Sequence, residues 1–285
     1  MFDYELLEPT TLPEVLDVLN QHGEEAQLIA GGAFLTIALK LGLVGARYLV
    51  SLQRIPELHR LQFDPEAGLT LGAMVTHRAV ETSPLVQEHY PLLAQTYAKV
   101  ANVRVRNQAT VGGNLVAADY ASDPQAALIA LQAGVHLLSV RGERRLPVRD
   151  FITGHYQTRR RPDELLMRVT VPPPAPGARA VYLKFKTRSS EDRPCVSVAA
   201  RLRLDDAGDC QDLRVVVGAA AETPQTFDEV TDVARGRRLG QPLIDQIAAR
   251  YASRIESIDD LRGSAWYRRQ VTEVLVRRAL RALAA

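Results

Sequence analysis

Two glycine pairs are the residues of this chain best suited to chemistry: Ala30-Gly31-Gly32 and Thr110-Val111-Gly112-Gly113-Asn114. Glycine lets a backbone approach a ligand closely and accepts positive φ, and consecutive amide N–H groups can converge on an anion. A helix amino terminus behind the first pair would add its dipole to that attraction. Two such loops meeting in space would grip a diphosphate from both sides. Taken alone, each pair reads as a tight turn. Neither fits G-x-G-x-x-G or a Walker A loop, so the spacing lends little support to a Rossmann or P-loop site.

Other chemistries find less to work with. His22, His59, His77, His89, His136 and His155 are scattered without metal-ligand spacing, so no metal site is expected. Neither a G-x-S-x-G elbow nor H-E-x-x-H occurs, and no catalytic acid, base or nucleophile stands out. The two cysteines, Cys195 and Cys210, read as reduced cytosolic thiols, Cys195 as a small buried hydrophobe. They are too few for the four thiolates an iron–sulfur cluster usually takes, so any cluster in an electron-transfer chain would sit on another polypeptide. With 35 Lys and Arg against 33 Asp and Glu, the net charge of +2 gives no field of the nucleic-acid-binding kind. Arg159-Arg160-Arg161 reads as a solvated face. No apolar run is long enough to span a bilayer, and Met1-Phe2-Asp3-Tyr4-Glu5 lacks the basic and apolar regions of a signal peptide, so a cytoplasmic location is expected.

The elements that must position the glycine pairs are partly legible. Thr11-Leu12-Pro13-Glu14 has the capping-box pattern and opens a helix that Gly23 stops. Gln27 to Ala30 reads as a strand and Phe34 to Lys40 as a helix, with Gly31-Gly32 between them. Arg47–Leu52, Leu69–Leu71, Val135–Val140 and Leu165–Val171 read as strands, and Pro91 to about Asn102 as a helix. Arg106 to Asn114 reads as a turn-rich polar stretch. Asp123 before Pro124 reads as the N-cap of a helix through Leu131. The run Pro172-Pro173-Pro174-Ala175-Pro176-Gly177 marks a boundary. Beyond it, Tyr182–Lys186, Val196–Leu204 and Leu213–Val217 read as strands, the last two joined by a turn at Asp205–Gly208. The rest is helical, with Tyr267, Val271, Val274, Leu275, Ala279 and Ala282 on one face of the final helix.

Taken together, Ala30-Gly31-Gly32, Arg106-Asn107 running into Thr110-Val111-Gly112-Gly113-Asn114, and Asp123 nine residues on resemble the FAD-binding medium subunit of the xanthine dehydrogenase and carbon monoxide dehydrogenase (molybdenum hydroxylase) family. The likeness continues through Lys184, Arg188 and Asp192, a Lys-x-x-x-Arg-x-x-x-Asp run, to Gly263-Ser264-Ala265-Trp266-Tyr267-Arg268 near the end.

That resemblance implies an α+β protein. An FAD-binding domain of the vanillyl-alcohol-oxidase-like (PCMH) type, two α/β subdomains divided near residue 55, would occupy residues 1–174. A carboxy-terminal α+β domain with a three-stranded antiparallel sheet and helices would occupy 178–285. By the same resemblance, Leu28, Ile29, Ala30, Gly31, Gly32, Ala33, Phe34 and Leu35 wrap the FAD diphosphate together with Thr110, Val111, Gly112, Gly113 and Asn114. Asp123 accepts bonds from ribityl or nearby hydroxyls, Leu166 packs near the adenine or flavin, Lys184 approaches the flavin edge, and Val100 packs against the cofactor. Arg188 and Asp192 position or tune the flavin. Ala33-Phe34 stands where the family usually carries a small polar residue and then Ser, which leaves backbone amides to hold the phosphates.

The implied partners are a [2Fe-2S] small subunit and a molybdopterin large subunit, as a dimer of heterotrimers, with NAD, a quinone or oxygen as acceptor. The complex's substrate, whether carbon monoxide, a purine, an aldehyde or an aromatic acyl thioester, would react on another chain. Two readings compete: a self-contained flavin oxidoreductase, and a family-derived assembly or interaction protein that has lost FAD, which Ala33-Phe34 favours.

Overall fold

The computed structural model describes residues 4–189 and 191–285; Met1–Asp3, on which the amino-terminal reading rests, lie outside the described residues. The chain forms two compact units, each built from separate stretches. The first takes residues up to Thr82, Asn102–Ala118 and Ala133–Pro173; the second takes Ser83–Ala101, Asp119–Gln132 and everything from Pro174 on. A linear division at 174–178 therefore leaves two stretches apart from the unit in which they pack.

In the first unit, β1 (Glu5–Leu7), β2 (Ala26–Ile29) and β3 (Tyr48–Ser51) form a parallel sheet in the order β1-β3-β2. Parallel strands need a crossover, and the helix Leu12–His22 lies between β1 and β2 in the chain. Its capping box is complete: the Thr11 hydroxyl accepts the Glu14 N–H, and the Glu14 carboxylate accepts the Thr11 N–H. Val15 and Leu19 are its buried residues, and Gly23 ends it at φ 49°.

A second sheet of the same unit comprises β4 (Leu61–Asp64), β5 (Gly68–Gly72), β6 (Gly134–Ser139), β7 (Gly142–Pro147) and, after a ribbon of β8 (Ile152–Gly154) and β9 (Gln157–Thr158), β10 (Leu165–Val171). Its order is β4-β5-β10-β6-β7, all antiparallel. Leu69 and Leu71, Val135 and Leu137, and Val169 and Val171 are fully buried at alternate positions, as one face of a pleated sheet requires.

In the second unit, β11 (Arg179–Phe185), β12 (Val196–Leu204) and β13 (Cys210–Gly218) pair antiparallel in sequence order. This is the expected three-stranded sheet. The β12–β13 turn holds Gly208 at φ 82°. Val196, Val198, Ala200 and Leu202 join Val215 and Val217, Ile247 and Tyr251 of the helix Gln241–Arg254, and Leu275 and Val276 of the helix Ala265–Ala284 in one core. The final helix buries only part of the expected face: Leu275 and Ala279 are buried and Val271 packs against the core. Tyr267 and Val274 are exposed, and the buried residues are Arg268, Thr272, Leu275, Val276, Ala279, Leu280 and Leu283. Among the described residues, no helix is long and apolar enough to cross a membrane.

Candidate cofactor site

β2 ends at Ile29 and a short helix starts at Leu35, so Ala30-Gly31-Gly32 lies between strand and helix as expected. Gly32 takes φ +71°, a backbone state that a side chain would strain. Its carbonyl accepts both the Thr36 N–H, at 3.2 Å, and the Thr36 hydroxyl, at 2.6 Å. Among the described residues, no chain acceptor takes the amide N–H of Gly31, Gly32, Ala33, Phe34 or Leu35. This is a run of five consecutive donors, half of it around a left-handed glycine, without a hydroxyl side chain among them. Such a run wants an anionic acceptor.

The second glycine pair differs from the expected loop. Residues 103–108 form one helix and 111–117 another, with Thr110 as N-cap of the latter. Its amides are already engaged. Val111 N–H donates to the Val75 carbonyl, Gly112 to Ala73, Gly113 to the Thr110 hydroxyl and Asn114 to the Thr110 carbonyl. What this motif supplies is close approach. A Cβ on Gly112 would lie 2.6 Å from the Ala73 Cβ, and one on Gly113 would lie 3.6 Å from the Ala30 Cβ. A Cβ on Gly31 would lie 1.6 Å from the Gln108 carbonyl oxygen. The two pairs thus do meet: 108–114 braces the turn at 30–32, and the turn presents the donors. Arg106 steadies the brace, its Nε 2.8 Å from Glu81, which also pairs with Arg78.

Asp123 opens the helix Asp123–Ala130, but the N-cap position belongs to Ser122, which makes no side-chain cap bond. The Asp123 carboxylate turns elsewhere: Tyr182 donates its hydroxyl to Oδ1 at 2.5 Å, and Lys184 donates to Oδ2 at 2.9 Å. Lys184 also donates to the Lys99 carbonyl at 2.8 Å, and Lys99 to the Tyr182 carbonyl at 2.9 Å. Asp123 is buried, and that pushes its carboxyl above the ordinary value against the pull of Lys184 and Tyr182. Burial, then the Asp123 charge, lifts the Tyr182 phenol well above its usual range. Sequence reasoning named Asp123 and Lys184 but missed Tyr182 and Lys99. Tyr182 carried a signal: two residues from Lys184 on a strand, it must share that residue's face.

The remaining expected residues are dispersed. Leu166 is buried on β10 opposite Leu137, next to a register shift. Val100 follows the C-cap of the helix Pro91–Ala98. Arg188 is exposed and reaches the Leu261 carbonyl, and Asp192 accepts the Ser189 N–H; neither joins the Asp123–Lys184 group. The closing Gly-Ser-x-x-Tyr-Arg signature has a structural task. Ser264 caps the final helix, and the fully buried Arg268 donates to the carbonyls of Cys195, Ile258 and Gly263 and to Asp260. Tyr120 donates its hydroxyl to the same Asp260. Cys195 is wholly buried in the core, and both cysteines are free.

A five-amide donor run and a buried lysine–carboxylate pair are what a dinucleotide-binding electron carrier would use, and comparison with known sequences specifies the class. The profile of the FAD binding domain in molybdopterin dehydrogenase matches residues 2–174, and that of the CO dehydrogenase flavoprotein C-terminal domain matches 180–283. The chain belongs to the family of FAD-binding medium subunits of molybdenum hydroxylases; it is an oxidoreductase subunit whose cofactor is FAD. The nicotine 6-hydroxylase medium subunit of Paenarthrobacter nicotinovorans is 31% identical, over 95% of this chain and 94% of its own. The carbon monoxide dehydrogenase medium chain of Hydrogenophaga pseudoflava is 29% identical, over 98% of this chain and 96% of its own. The solved carbon monoxide dehydrogenase of that organism superposes with a TM-score of 0.94 at 29% identity, covering 99% of this chain and 97% of that one. Such end-to-end matches do not favour the FAD-free or self-contained readings.

Proposed function

We propose that this chain holds FAD within a larger complex and passes electrons from an iron–sulfur cluster on a partner to an external acceptor. The observation that carries the reading is the run of amides from Gly31 to Leu35, which no chain acceptor takes among the described residues and which suits an anion such as a diphosphate. Bound there, FAD would supply the redox chemistry, accepting and releasing electrons one or two at a time. The chain's own residues bind and tune. Leu28, Ile29 and Ala30 lead the backbone into the cradle, Gly31 to Leu35 donate to the phosphates, and Thr110 to Asn114 form the wall that fixes the turn. Lys184, paired with Asp123, supplies positive charge to the flavin, and Val100 and Leu166 give apolar packing. Arg188 and Asp192 position or tune the flavin from their loop.

The relatives' names, medium subunit and medium chain, support a place in a multi-subunit assembly. The expected partners are a [2Fe-2S] small subunit and a molybdopterin large subunit, arranged as a dimer of heterotrimers, in the cytoplasm. NAD, a quinone or oxygen takes the electrons. The test is the visible absorption spectrum of the purified chain, followed by acid release of any cofactor and titration with FAD. Flavin bands and near-stoichiometric FAD are expected. A colourless chain that also fails to bind added FAD overturns the proposal.

A further inference from the structure

Tyr182 sits where phenylalanine would fill the same space, and a buried hydroxyl is costly unless it is paired. It is 1% exposed, Asp123 is 3% exposed, and the Lys184 side chain is 2% exposed. The hydroxyl donates to the Asp123 oxygen opposite the one that Lys184 holds. A full carboxylate charge 2.9 Å from the ammonium would cancel much of its field. A hydroxyl donating to the far oxygen draws charge away from the near one, so the ammonium keeps more of its own.

The ammonium is also fixed in direction. Of its three N–H groups one goes to Asp123 and one to the Lys99 carbonyl, and among the described residues no acceptor takes the third. Lys99 caps the end of the helix Pro91–Ala98 and returns a bond to the Tyr182 carbonyl. Strand and helix end therefore hold each other by reciprocal bonds, with the Lys184 ammonium in the middle.

Resting on the FAD reading above, we propose that Tyr182 is a positioning residue that acts through Asp123 on Lys184, setting where its remaining N–H points and how much positive charge it offers the flavin. A cation stabilises the extra charge of a reduced cofactor. Loss of the Tyr182 hydroxyl therefore makes FAD harder to reduce, and only while Lys184 is present.

The experiment compares wild type, Tyr182→Phe, Lys184→Met and the double variant, each checked for folding by thermal melting. Two readouts are taken: acetylation of Lys184 in the FAD-free chain, followed by mass spectrometry, and the midpoint potential of the FAD-loaded chain. Tyr182→Phe is expected to lower Lys184 labelling several-fold, because the fully charged Asp123 then holds the ammonium more tightly, and to lower the potential, while adding nothing to the shift already caused by Lys184→Met. Unchanged labelling with an unchanged potential overturns the proposal. So does a Tyr182→Phe shift that persists undiminished in the double variant, because the hydroxyl would then act independently. Failure of the FAD reading itself shows separately, as a wild-type chain that binds no FAD while Lys184 labelling still responds; Tyr182 would then be a brace and its tuning role is lost.

Discussion

The backbone of Gly31 runs so close to Gln108 that a methyl group on the glycine would sit 1.6 Å from the Gln108 carbonyl oxygen. No rotamer relieves a clash between two backbones, so one segment must move. Gly31→Ala is expected to cost more than about 3 kcal/mol, the upper end for overpacking. A methyl on Gly113 would meet the Thr110 hydroxyl at 2.9 Å, a side-chain contact in a helix where alanine is the better former by about 1 kcal/mol. Gly113→Ala should therefore change stability by less than about 1.5 kcal/mol. Urea denaturation of the two variants without cofactor checks this; equal losses would mean that the 108–114 segment does not brace the 30–32 turn.

Asp123 and Lys184 form a buried ion pair, and removing one member strands the other. Asp123→Ala should cost about 3–5 kcal/mol. The triple variant Asp123→Leu, Lys184→Met and Tyr182→Phe should recover most of that loss, since three apolar groups need no partner. Thermal melts of the FAD-free chains decide it, and additive losses in the triple variant would contradict the pairing.

Asp260 collects the Tyr120 hydroxyl, the Arg262 amide and the Arg268 guanidinium. Burial raises its pKa, but these donors outweigh it and hold the carboxyl far below its ordinary value of 3.8. A depressed carboxyl contributes stability above its unfolded pKa and loses it as the pH falls through the folded one. Asp260→Asn should be clearly less stable than wild type at pH 7, and the two stabilities should converge as the pH drops below 3.8. A constant gap across that range would show that the charge of Asp260 contributes nothing.

His77 adds to the same acid limb at higher pH. Burial, helped by the nearby Arg106 charge and opposed by a Thr110 backbone bond, lowers its pKa from 6.5 to about 4. The unfolded chain takes up this proton first, so stability is full above pH 6.5 and falls as the pH drops toward 4, by roughly 3 kcal/mol. His77→Gln should flatten denaturation midpoints across that window. Parallel wild-type and variant curves would rule His77 out as their source.

Much of the frame was legible because strong local rules agreed with the fold. The capping box at Thr11, the strand before Gly31, the whole of β12 and the Asp205–Gly208 turn all stand where alternation and turn chemistry place them. Three failures share a physical cause: tertiary contacts override a local pattern. β1 is three residues long and pairs parallel with β3, so it shows no period. Val111–Ala117 is a helix despite two glycines, since the Ala73 and Val75 carbonyls and the Thr110 cap hold its first turn. The last helix turns Arg268 and Thr272 inward, against any hydrophobicity scale, because Asp260 and three carbonyls wait for the guanidinium. At the site, the glycines and Asp123 were legible, but not that Asp123 serves Lys184 and Tyr182. No local spacing encodes a bond across 59 residues.

The segment Asp119–Gln132 bears on synthesis. Every residue of its helix Asp123–Ala130 is buried, and it packs on β12 and β13, which begin at Val196 and Cys210. On the ribosome this stretch emerges roughly seventy residues before the strands that cover it. For that interval the nascent chain carries a helix built for full burial with only the helix Pro91–Ala98 to rest on. Truncation at the proline run would make the interval permanent, so a fragment ending near residue 174 should aggregate or hold a chaperone, and the chain is best produced, and evolves, as one piece.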